Sequence, residues 1–115
     1  MCGCLHKIVD VLSNAHLDCI QDTAPAPTGD FDFKNDRQKL FDAGKCICGG
    51  IDATAFIELS PEELQGYVAR RLEEVAPGVG FLLGSGDTVP YGTTIENLKA
   101  VVTAVEKYGK CPILV

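Results

Sequence analysis

Cysteine and aspartate are the residues of this chain placed where they could do chemistry. Cys2 and Cys4 flank Gly3, just ahead of a run with helical spacing. A helix N-terminus favours thiolate over thiol, so Cys-Gly-Cys at this position suits a reactive cysteine or a pair of metal ligands. His6, two residues beyond Cys4, is a further donor for the same ion. Three aspartates follow apolar segments: Asp22 after Leu17 to Gln21, Asp52 after Cys46-Ile47-Cys48-Gly49-Gly50, and Asp87 after Val79 to Leu83. Carboxylates that converge raise one another's pKa and serve as acid/base groups or as ligands for hard cations. Aspartate is also a common cap of turns and helices, and Asp22 and Asp52 suit that use as well. Cys19, Cys46 and Cys48 sit inside apolar runs and read as small buried hydrophobes. Cys111 lies in a tail.

The elements that must position these residues follow from spacing. Leu5, Ile8, Val9, Leu12 and Ala15 repeat at helical intervals and predict a helix over 4–15. Residues 17–21 read as a short buried strand, and the Pro25, Pro27 and Gly29 that follow impose a loop over 22–32. A short helix is expected near 34–43, ended by Gly44, then a second buried strand over 45–48, closed by Gly49-Gly50. Ser60-Pro61-Glu62-Glu63 is a capping box with proline at the first helical position. Leu64, Val68, Leu72 and Val75 give that helix its apolar stripe, and Pro77-Gly78 ends it. A third strand is expected over 79–83. Thr93 to Glu96 repeats the capping pattern ahead of a last helix with Leu98, Val101, Val102 and Val105 on one face. Glu62, Glu63, Arg70, Arg71, Glu73 and Glu74 read as a solvated helix face.

The order is α-β-α-β-α-β-α, an α/β fold of parallel βα units. Strands that are apolar throughout imply a parallel sheet covered on both faces. Three such strands with four helices make a narrow sheet, most naturally the last part of a (β/α)8 TIM barrel, which needs about 250 residues in full. In such barrels function gathers at the C-terminal ends of the strands. That rule selects Asp22 and Asp52 as catalytic acid/base candidates, Gly49, Gly50, Ser85 and Gly86 as cofactor-facing positions, and Asp87 on the same rim.

Composition sets the remaining limits. The chain has 115 residues, 46% hydrophobic and 23% charged, which fits one globular domain over 1–115 and excludes disorder. Ten basic against 16 acidic residues give a net charge of −6. Without a basic face, nucleic acid and anionic membrane are not expected partners. No apolar run approaches the roughly 20 residues needed to span a bilayer. The first residues lack the apolar stretch of a signal peptide, so the protein is expected to be cytoplasmic, with its six cysteines as reduced thiols.

Several segments, in order over about residues 2–109, resemble the C-terminal part of the uroporphyrinogen decarboxylase superfamily. They are Cys2-Gly3, the loop Ala24 to Asp32, Gly49-Gly50-Ile51-Asp52, Ser60 to Leu64, Ala76 to Gly86, Val89-Pro90 to Thr93, and Glu96-Asn97-Leu98. The superfamily fold is a (β/α)8 barrel, and it includes cobalamin-dependent methyltransferases. In that branch zinc is held by a His-x-Cys-Gly motif and a later Cys in a turn after the last strand. The resemblance places Cys2-Gly3 on the first motif, with Met1 at x, and Asp87 on the later Cys position. It implies a metal site of Cys2, Cys4 and Asp87, a zinc ion that activates the acceptor, and a corrinoid (cobalamin) protein as partner. True decarboxylases carry Gly-His-Gly where this chain has Gly84-Ser85-Gly86-Asp87, and their N-terminal catalytic residues have no counterpart here.

The expected function is that of a fragment or truncated relative of a corrinoid-dependent methyltransferase, inactive alone. The alternatives are a fragment of a true uroporphyrinogen decarboxylase, from porphyrin biosynthesis, and a non-catalytic α/β module that self-associates and holds a metal through its cysteines. Three strands cannot close a barrel, so the chain is expected to form a homo-oligomer through its sheet or to receive a missing N-terminal half-barrel in trans.

Overall fold

Ile20 and Ile47 are buried and face each other across adjacent strands, and this pairing organises the molecule. The computed structural model describes residues 3–112. A 3-10 turn at His6–Ile8 runs into α1 (Val9–Ser13), followed by β1 (Cys19–Thr23), α2 (Asn35–Asp42) and β2 (Cys46–Ile51). The chain continues through α3 (Ala55–Glu58), α4 (Pro61–Glu74), β3 (Phe81–Ser85) and α5 (Ile95–Tyr108). The strands form one parallel sheet in the order β1-β2-β3.

All the helical packing lies on one face of this sheet. Ile20 and Ile47 join Leu5 and Val9, beside and in α1, and Leu40 from α2 in one cluster, while Ile51 joins Leu64, Val68 and Leu72 from α4 and Ala104 from α5 in another. Phe81 packs against both. The pleat turns alternate residues to the other side, where Cys19 and Cys46 are exposed and Leu82 is 62% exposed. A doubly wound sheet reverses its strand order and carries helices on both faces. Sequential parallel strands with helices on one face form the wall of a (β/α) barrel, as the sequence pattern predicted. The Cα trace is 18 Å across its thinnest direction, the depth of one sheet and one helix layer. No helix among the described residues is long and apolar enough to cross a membrane.

The structure corrects several local expectations. The strands begin one or two residues later than predicted, at Cys19, Cys46 and Phe81, and β1 runs on through Asp22 to Thr23. Gly49 and Gly50 lie inside β2 rather than closing it. The one-turn helix α3 is additional, and Asn97 explains it: its amide donates to the carbonyls of Phe56 at 2.7 Å and Leu59 at 2.9 Å, capping the helix end. The capping box of α4 is present, with Ser60 Oγ accepting from Glu63 N at 3.2 Å and Glu63 Oε1 accepting from Ser60 N at 3.1 Å. At α5 the cap is Thr94, which accepts from Asn97 N at 3.2 Å, and not Thr93. Cys19 and Cys46 are not buried, because the second face of the sheet has no layer over it.

Candidate functional site

The C-terminal ends of the strands meet through residues without side chains. A Cβ on Gly49 would stand 2.3 Å from the carbonyl oxygen of Thr23, and Gly49 has a φ of 142°. Only glycine fits there. β1 carries one extra residue between Ile20 and Thr23, a bulge at which Asp22 takes a φ of 63°. Thr23 beyond it is fully buried, and its hydroxyl donates to Cys48 O at 2.9 Å. Gly86 N donates to Ile51 O at 2.7 Å, and a Cβ on Gly86 would stand 2.7 Å from Ala24. Gly29 lies against the carbonyls of Ala24 and Gly3. The N-terminal segment and the ends of all three strands therefore converge on the Ala24–Gly29 loop.

Asp52 ties this rim together. It is 2% exposed. Oδ1 accepts from Thr28 N at 3.0 Å, Oδ2 accepts from Thr54 N at 3.1 Å and from the Thr54 hydroxyl, and its own N donates to Tyr67 Oη at 3.0 Å. Burial pushes its pKa up, but the hydrogen bonds from Thr28 and Thr54 outweigh that and hold it below the ordinary value. A carboxylate among like charges would shift the other way. The geometry makes Asp52 the link between the Ala24–Gly29 loop and the turn into α3.

The other predicted positions are also engaged with protein atoms. Ser85 Oγ accepts from Asp87 N at 3.4 Å, and Asp87 Oδ1 accepts from Thr88 N at 2.7 Å, so both shape the turn after β3. Asp22 is half-buried on the bulge; burial first, and then the Asp22 charge, raises the Cys48 thiol pKa. A Cβ on Gly50 would meet Phe81 and Arg71. Protein atoms thus occupy the space beside Gly49, Gly50 and Gly86 that was assigned to a cofactor.

For zinc, Cys2 lies outside the described residues, Cys4 is exposed, and Asp87 holds its own turn. His6 is committed elsewhere: its Nδ1 stands 2.7 Å from Oδ2 of the buried Asp36, whose hydrogen bond and charge raise the imidazole pKa. His6 N also donates to Asp30 Oδ1 at 3.0 Å. Among the described residues no three His, Cys, Asp or Glu side chains are grouped to hold a metal.

Two supporting residues escaped the sequence reading. Arg71, assigned to a solvated face, turns inward: its Nε donates to Gly50 O at 2.8 Å and its guanidinium lies 4.5 Å from the Phe33 ring centre. The signal was its spacing, three residues after Val68 and seven after Leu64, within the apolar stripe. Tyr67, also on that stripe, reaches the backbone of Asp52.

The family model for uroporphyrinogen decarboxylase (URO-D) matches residues 1–108. The chain belongs to the URO-D family. No curated protein matches it. The family match covers all three strands and the whole rim around Asp52, so the Gly49–Asp52 segment and the Ser85–Asp87 turn stand in this chain as parts of a URO-D barrel wall.

Proposed function

We propose that this chain is the C-terminal wall of a URO-D family barrel of the methyltransferase-leaning kind, and that it has no turnover of its own. The observation that carries this reading is the uncovered sheet face, where Leu82 is 62% exposed and Cys19 and Cys46 are open. In a closed barrel that face packs against the remaining strands. Leaving a few hundred Å² of it wet forgoes several kcal/mol at about 25 cal/mol per Å², a large share of the roughly 5–15 kcal/mol that holds a domain together. Cys2-Gly3 at the metal-motif position and a Gly84–Asp87 turn without histidine favour the methyltransferase branch over the decarboxylase. Because Asp52 is taken up by Thr28 and Thr54, acid/base chemistry in the complete barrel draws on groups from its other strands. A second copy of the chain is the simplest cover for the open face.

The 115-residue chain is incubated with uroporphyrinogen, and separately with methylcobalamin and a thiol acceptor. Neither coproporphyrinogen nor demethylated cobalamin should accumulate above a buffer control. Turnover of either substrate by the isolated chain overturns the proposal.

A further inference from the structure

The open sheet face carries a pair of thiols unrelated to the rim. Cys19 opens β1 and Cys46 opens β2, and the two are direct partners across the parallel pair. Neighbouring strands lie about 4.7–4.9 Å apart, within the roughly 4.4–6.8 Å between Cα atoms that a disulfide spans. The next residues, Ile20 and Ile47, are also partners and are both buried on the helical side. Cys19 and Cys46 therefore turn together to the open face, where both are exposed. Their register is held from both sides, by the Ile20–Ile47 pair and by Cys46 N donating to Asp18 O at 2.9 Å. Cys48 shares the face but is paired with Leu82 on β3, and the β1 bulge interrupts its pairing on the other side. The pair sits at the N-terminal edge of the sheet, at the opposite end from Asp52.

We infer that Cys19 and Cys46 are a redox-active dithiol that closes to an intramolecular disulfide across β1 and β2. The oxidant is a low-molecular-weight disulfide. One cysteine thiolate attacks it, forming a mixed disulfide and releasing one small thiolate; the second cysteine attacks the mixed disulfide, forming the protein disulfide and releasing the other. The two cysteine thiols lose two protons and two electrons, and the reagent is reduced to two thiols. Burial, with Cys46 and Cys48 nearby, raises the Cys19 pKa, so closure speeds up as pH rises.

The full chain, reduced and then exposed to glutathione disulfide at two protein concentrations, is alkylated, digested at lysine and arginine, and mapped by mass spectrometry. The expected product joins the peptide containing Cys19 to the one containing Cys46 within a single chain, and because a second copy covers the same face its yield falls, rather than rises, with protein concentration. It persists in Cys48→Ser and disappears in Cys19→Ser and Cys46→Ser. In urea, where register is lost, the pairing becomes mixed. Glutathione adducts on Cys19 and Cys46 without their linkage, or the same mixture of pairings with and without urea, would overturn the inference.

Discussion

Replacing Asp52 by asparagine removes one charge and one acceptor from a site where three donors converge. Thr28 N approaches one carboxylate oxygen at 3.0 Å, and Thr54 N at 3.1 Å and the Thr54 hydroxyl approach the other. An amide can place its oxygen toward only one of these sets, so its NH2 must oppose a backbone N–H. Hydrogen bonds to charged groups are worth about 1.5–3 kcal/mol, and a buried donor left unpaired costs about 1–3 kcal/mol. With Asp52 2% exposed, solvent does little to relieve this. Asp52→Asn should therefore destabilise the chain by about 2–3 kcal/mol. At a urea slope of about 1–3 kcal/mol per molar, the midpoint falls by roughly 0.7–3 M with the slope unchanged. The effect depends on pH. The folded-state pKa of Asp52 is depressed, so its contribution is present above the unfolded value and is lost as pH falls through the folded one. The gap between wild type and variant should narrow in acid, below the ordinary aspartate range. A urea midpoint unchanged at neutral pH would refute the structural role of Asp52 and leave its carboxylate free for chemistry.

Gly49→Ala places a Cβ 2.3 Å from Thr23 O at a φ of 142°; strain and overpacking of about 1–3 kcal/mol each should lower the melting temperature by many degrees, and an unchanged melt contradicts the tight rim. Arg71→Met leaves Gly50 O without its 2.8 Å donor and should cost about 1–3 kcal/mol, read by urea unfolding; an unchanged midpoint would return Arg71 to the solvated face. The His6 imidazole should titrate above its usual value of 6.5 in the wild type and fall back in Asp36→Asn, followed by NMR. Its stabilising contribution is present below the unfolded value and lost as pH rises through the folded one, and a titration unmoved by Asp36→Asn contradicts the pairing.

The start of α4 was legible because its signals are local, whereas α5 buries Asn97, Ala100 and Ala104 and leaves Leu98 and Val102 of its expected stripe exposed. Ser60-Pro61-Glu62-Glu63 marked the start of α4 correctly, and the Leu64, Val68, Leu72 stripe named its buried face. The parallel βα units of the barrel wall followed from the spacing of the apolar runs, whereas the apolar strands read as covered on both faces and the structure covers one. Strand ends were less legible, because Gly49 and Gly50 read as a turn while tertiary contacts with Thr23 and Arg71 keep them inside β2. The cysteines of β1 and β2 were misread as core because composition does not show which face of a strand lacks a covering layer. Asp52 and Asp87 follow β2 and β3 as expected while Asp22 lies within β1, but the partners of Asp52 come from residues 28 and 54, and no spacing rule foretells that pairing. Arg71 lies within the helical periodicity of the buried stripe, and its charge masks that position.

Sedimentation equilibrium of the isolated chain bears most directly on the uncovered sheet face. At micromolar concentration the wild type should sediment as a dimer or larger species, above the 12.3 kDa of one chain, and Leu82→Asp, which puts a charge on the open face, should shift it to the monomer with its circular dichroism unchanged. A well-folded wild-type monomer of 12.3 kDa would contradict the claim that this barrel wall needs a partner for its open face.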